Sequence, residues 1–151
     1  ATEAEAEAFV DKKANLLANR KGIAWAITAK DRAGCLGSIE LTHLADADKA
    51  HIREIGFYVG IPFRGNGYAS EAIKRVTTSA FKIHYDLQRV HAEVMPSNAG
   101  SIHTLENCGF SREGILKSWN MGEDDGFWVP VSLLVLALTR DSRPENLPGQ
   151  G

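Results

Sequence analysis

Arg64-Gly65-Asn66-Gly67-Tyr68-Ala69 stands between a run that reads as a strand, Ile52–Val59, and a helical pattern over 67–85. In the strand Ile55, Phe57 and Val59 share one face, while Glu54, Gly56 and Tyr58 share the other. In the helix Ala69, Ala72, Ile73, Val76, Ala80 and Phe81 form one apolar stripe. Glycines at a strand–helix junction let backbone N–H groups turn toward one point, and the helix start adds about half a positive charge. Such a loop can hold a phosphate without a basic surface, with Arg64 adding a charge-assisted contact. It can equally be an ordinary tight turn. Two standard phosphate motifs do not fit. Ser70 stands where a dinucleotide fingerprint wants its third glycine, and the Gly-Lys-Ser/Thr of a nucleotide P-loop is absent.

Working outward, 89–95 reads as a strand stopped by Pro96. A short helix follows from near Asn98 to Asn107, with Gly109 at its end. The pattern then predicts a strand over 110–119, a turn over 120–126, a very apolar strand over 127–138 and a loose tail from Thr139 onward. Upstream, Thr2 and Glu5 form a capping-box pattern. It opens a helix with Phe9, Lys13, Leu16 and Leu17 at near-helical spacing and Gly22 as its stop. Two β-type runs flank the turn Asp31-Arg32-Ala33-Gly34 as a hairpin. The whole spells a mixed α/β domain over 1–140 and a flexible tail over 141–151.

A chain of 151 residues suits one domain, and 44% hydrophobic with 24% charged residues is the composition of a soluble globular protein. Seventeen basic against nineteen acidic residues leave a formal charge of −2, so nothing draws the chain toward nucleic acid or anionic lipid at long range. No apolar run reaches the roughly 18 residues of a membrane span. The acidic N-terminal stretch lacks a signal core, and Cys35 and Cys108 cannot make a disulfide scaffold. These features predict a cytoplasmic protein with no membrane or nucleic-acid partner. The five histidines show no metal spacing and read as surface or loop residues, and the three tryptophans as core or groove residues.

A second piece, Pro96-Ser97-Asn98-Ala99-Gly100-Ser101, puts two polar side chains at a helix start after a strand. Asn98 alone is an ordinary N-cap. Ser101 occupies the place where the capping partner is Glu or Gln, so its hydroxyl is free to meet a ligand lying along the strand ends. The order of strand, Arg-Gly-x-Gly-Tyr-Ala, long helix, strand, Asn-x-x-Ser, Leu-Glu-Asn-Cys-Gly-Phe resembles the GNAT acetyltransferases. It is most similar to their RimJ/RimL branch, which acetylates N-terminal amines of ribosomal proteins. The resemblance implies a mostly antiparallel sheet of about six strands with helices on both faces and a splayed V between two central strands. It implies acetyl-CoA as co-substrate and no metal. The diphosphate would lie on the N–H groups of Arg64, Gly65, Asn66, Gly67, Tyr68 and Ala69. Pantetheine would pair like an extra strand with Phe57, Tyr58 and Val59, and Asn98 and Ser101 would touch the cofactor arm.

The implied reaction is direct attack of a primary amine, from a protein N-terminus or a small molecule, on the thioester in a ternary complex. Ser101 is the candidate hydrogen bond to the departing sulfur, because Leu105 replaces the tyrosine that many relatives use as acid. Glu54 is the first candidate for the base and Glu93 the second; Asn120 stands where the RimL pattern has Glu. The family's first strand and helix have no counterpart before Thr2, so the chain reads as a fragment, a naturally short member or one that borrows a partner's segment, and an uncovered sheet edge would favour a homodimer. The other reading is an inactive acyl-CoA-binding module. Glu123, Asp124 and Asp125 form a solvated turn or a patch attracting a cationic amine, and Cys108 reads as a buried thiol without a covalent role.

Overall fold

The computed structural model describes residues 3–143. Its strands are β1 (Gly22–Thr28), β2 (Cys35–His43), β3 (Ile52–Val59), β4 (Arg89–Val94), β5 (Ser111–Asp124) and β6 (Phe127–Thr139). Its α-helices are α1 (Glu3–Ala18), α2 (Tyr68–Ile83) and α3 (Ala99–Asn107). The strands form one sheet in the order β1-β2-β3-β4-β6-β5, antiparallel throughout except where β3 meets β4. The mixed α/β class is as the sequence pattern predicts, and the mostly antiparallel six-stranded sheet is as the family resemblance implies.

Period-two burial fixes which face carries which helix. Ile39 and Leu41 on β2 and Ile55 and Val59 on β3 are buried in a core shared with Ile73 and Phe81 of α2 and Ile102 and Leu105 of α3. Glu40 leaves β2 from the opposite face, where it forms a salt bridge with Lys13 of α1. Helices therefore flank both faces. In α2 the buried residues are Ile73, Thr77, Ala80 and Phe81, at helical spacing. Thr77 is admitted to that stripe because its Oγ1 donates to the Ile73 carbonyl at 2.8 Å.

Three boundaries differ from the sequence reading. Gly22, expected to stop the first helix, is the first residue of β1 and pairs with Thr42, because α1 already ends at Ala18. The turn expected over 120–126 shrinks to Asp125 and Gly126, with φ of 49° and 80°. Two residues with positive φ suffice for a tight hairpin, so Glu123 and Asp124 stay in the ladder opposite Trp128 and Phe127. The chain from Thr139 is not loose at its start. Thr139 ends β6, and the Arg140 guanidinium donates to the carbonyls of Leu87 at 2.9 Å, Phe81 at 3.1 Å and His84 at 2.8 Å. The tail expected over 141–151 lies, from 144 on, outside the described residues. So do the expected cap at Thr2 and the side chains of Glu5, Phe9, Leu16 and Leu17.

Candidate active site

β3 and β4 pair only at Ile52↔Arg89, Arg53↔Val90 and Glu54↔His91, although both strands continue. Beyond that point β3 follows β2 and β4 follows β6, and sheet twist carries them apart into the expected V. The Gly60 N–H donates to the Leu36 carbonyl at 2.8 Å, which fixes the alternation of the β2–β3 ladder. Gly56 and Tyr58 are then bonded to β2, while the N–H and C=O of Phe57 and Val59, beyond the last rung of the β3–β4 ladder, point into the opening. The Arg64 Nε takes the Val59 carbonyl at 2.9 Å. Phe57 is left with free main-chain groups, and Tyr58 contributes a side chain rather than an amide.

The wedge opens onto the glycine loop. Gly65 and Gly67 have φ of 77° and 79°, a left-handed backbone, and a Cβ on either would meet nothing within 4 Å. Gly67 is the N-cap of α2 and supplies no capping side chain. The first-turn N–H groups of Tyr68, Ala69 and Ser70 thus lack a capping acceptor. Asn66 turns inward: its Nδ2 donates to the carbonyls of Phe63 at 3.1 Å and Arg64 at 3.2 Å, holding the bend. Arg64 lies over the Tyr58 ring at 5.6 Å.

Across the opening, Asn98 Oδ1 accepts the Ser101 N–H at 3.2 Å, an N-cap made with the backbone of Ser101 rather than its hydroxyl. Together these residues wall a groove of about 570 Å³. Every residue expected at the cofactor lines it except Asn66. The sequence reading missed Phe63, Ser70, Gly100, His103, Thr104 and Asn107 on the same wall. The last three follow Gly100 at three- and four-residue spacings, the pattern that would have placed them on one face of α3. Cys108 is buried, with Sγ 3.5 Å from the Ser70 carbonyl, and burial pushes its thiol pKa up, as suits an unreactive thiol.

Glu54 does not line this groove; it sits at the apex of the V and faces the α1 side. Burial raises its pKa, and the charges of Glu93 and Glu40 raise it further. Leu105 is 0% exposed and belongs to the core. Asn120 is exposed on β5. His91 corrects the expectation of a surface or loop histidine, since it is buried on β4. Of the two places expected for the tryptophans, core or groove, the core holds none. Trp119 and Trp128 are exposed on the β5–β6 hairpin. Trp25 lines a second, larger groove of about 940 Å³ between β1, β2 and α2, on the far side of α2 from the α3 wall. Among the described residues no group of three or more His, Cys, Asp or Glu could hold a metal, and no helix is long and apolar enough to cross a membrane.

The chain is 31% identical over 115 residues to the uncharacterized N-acetyltransferase YoaA of Bacillus subtilis; the match takes in 76% of this chain and 63% of the relative's length. Two solved structures share the fold. RimJ of Mycobacterium smegmatis, in complex with CoA-disulfide, superposes with a TM-score of 0.73 at 24% identity, covering 93% of this chain and 64% of its own. The microcin C7 self-immunity acetyltransferase MccE, in complex with acetyl-CoA and AMP, gives 0.75 at 19% identity, covering 92% and 72%. The acetyltransferase (GNAT) domain family matches residues 1–111, nearly three quarters of the chain. With the splayed β3–β4 pair and the glycine loop at the head of α2, that match settles the matter: the chain belongs to the GNAT acetyltransferase family.

Proposed function

We propose that this domain transfers an acetyl group from acetyl-CoA to a primary amine, either a protein N-terminal α-amine or a small-molecule amine, by direct attack in a ternary complex. The observation that carries the reading is the wedge itself, where the free N–H and C=O of Phe57 open beside a loop whose Gly65 and Gly67 border open space. Pantetheine has two amides and can use those groups as a third strand would. The diphosphate fits the N–H groups from Gly65 to Ala69, with Arg64 as the nearest fixed cation. Asn66 serves by shaping the bend. Acetyl-CoA supplies the activated carbonyl, and the Phe57 N–H is placed to stabilise a tetrahedral oxyanion.

Ser101 keeps its hydroxyl for the departing sulfur because its backbone alone makes the helix cap. Glu54 takes the proton from the amine on the opposite side of the wedge, where burial raises its pKa and so makes it a stronger base than an exposed carboxylate. The exposed edges of β1 and β5 suit a homodimer, and the cytoplasm is the compartment where acetyl-CoA and such amines meet.

The test is a single-turnover assay with N-terminal peptides, polyamines and aminoglycosides. Acetylation above the buffer blank of any member supports transfer. Binding of acetyl-CoA without acetylation of any member favours an acyl-CoA-binding module, the reading that Leu105 in the core motivates. No binding of acetyl-CoA at millimolar concentration rejects both.

A further inference from the structure

His91 is used by nothing described so far. Its side chain is about nine-tenths buried, with 10% exposed, and its Nδ1 has no hydrogen-bond partner. Folded proteins seldom leave a buried polar atom unpaired, so this one calls for a use. His91 is the partner of Glu54 in the last rung of the β3–β4 ladder, so both side chains leave the sheet at the apex of the V and from the same face. On its other edge His91 Nε2 lies 4.0 Å from Glu93 Oε1. A carboxylate there favours the tautomer with its proton on Nε2 and leaves the Nδ1 lone pair free.

We propose that His91 is a proton relay for the transfer, receiving through Glu54 the proton that the acceptor ammonium gives up. The inference rests on the acetyltransferase reading above. The ammonium loses one proton to the Glu54 carboxylate, which passes it to His91 Nδ1, and the imidazolium formed faces Glu93. The freed nitrogen lone pair then bonds to the thioester carbon. When the tetrahedral intermediate collapses, the C–S bond breaks and its electron pair leaves on sulfur. The second nitrogen proton ends on that thiolate by way of water or the Ser101 hydroxyl. The products are an amide, the free thiol of CoA and one proton, which His91 returns to solvent.

The surroundings suit the role. The charges that act on His91 are those of Arg89 on its own strand and Glu113 on β5; Glu93 lies 4.0 Å from its Nε2, Glu54 is its register partner on β3, and β6 places Ala137 beside it. Burial first, then Arg89, holds its pKa below the ordinary histidine value against the opposing pull of Glu113, so the ring is neutral near pH 7. Glu54 is shifted the other way. A carboxyl raised and an imidazole lowered exchange a proton at small cost.

The test follows the His91 ring by NMR titration of the histidine-labelled chain with CoA bound, in the wild type and in Glu54→Gln, alongside kinetics of His91→Gln. The relay predicts a His91 midpoint below the ordinary value that moves in Glu54→Gln. It also predicts a kcat lowered about 10- to 100-fold in His91→Gln, with acetyl-CoA affinity within twofold and an altered acidic limb of the pH profile. The titration uses folded wild-type protein, so a misfolded His91 variant does not spare the idea. An unmoved midpoint, or wild-type kcat at every pH in His91→Gln, overturns the relay and leaves the acetyltransferase reading standing. A wild-type chain that acetylates no amine takes both down.

Discussion

Replacing Gly67 by alanine separates the loop's cost to folding from its use in binding. At φ 79° an L-residue pays about 1–2 kcal/mol for the left-handed backbone. The added Cβ meets no atom within 4 Å, so no steric term joins it. For a domain of this size about 1 kcal/mol corresponds to roughly 2–4 °C, and Tm should fall by roughly 2–8 °C. Binding should suffer separately if the diphosphate lies on this loop, because the methyl then occupies open space beside the first-turn amides. Losing one charge-assisted hydrogen bond costs about 1.5–3 kcal/mol, a Kd for CoA weakened about 10- to 150-fold. Calorimetry with CoA and with pantetheine, on both proteins, reads the two effects apart. Pantetheine lacks the diphosphate, so its affinity should change less than threefold. Equal CoA affinity in the two proteins, or equal losses for CoA and pantetheine, would refute the placement of the diphosphate on this loop.

Ser101→Ala should leave Tm within about 1 °C, because the cap uses its N–H, and should lower kcat more than CoA affinity; unchanged kcat would make Ser101 structural only. Glu54→Gln should change the pH dependence of stability. A carboxyl whose folded pKa lies above its unfolded value is still protonated in the native state when the unfolded chain has already lost the proton. Wild-type stability therefore falls as pH rises from the ordinary value of 4.5 through the raised one, and is flat in this respect above it. Urea midpoints of Glu54→Gln relative to wild type should rise across that window, and a constant difference would contradict the raised pKa. Arg140→Ala removes the donor shared by three carbonyls and should cost about 2–3 kcal/mol, with lysine recovering less than half; urea midpoints within error of wild type would show the anchor to be idle.

The loop, the helix after it and the strand before it were legible because their signals are local. Two glycines between an alternating run and a 3.6-residue stripe specify a strand–turn–helix through backbone sterics alone, and the structure returns β3 and α2 within two residues of the reading. Most of the groove wall could be named for the same reason. Boundaries set by pairing were not legible. Glu123 and Asp124 have no strand propensity worth the name, and they are extended because Trp128 and Phe127 lie opposite. Arg140 reads as the start of a tail, and only folding brings the carbonyls of Phe81, His84 and Leu87 to its guanidinium.

The sequence by itself determined the order of strands and helices, the glycine bend between β3 and α2, and the family. The tertiary structure alone decided where β3 and β4 part company, which amides of β3 face the gap, and that His91 pairs in register with Glu54 at its apex. Local sterics and hydrophobic spacing act over a few residues and are written in the chain. Register and burial arise between segments far apart in it, so they exist only once the sheet is assembled.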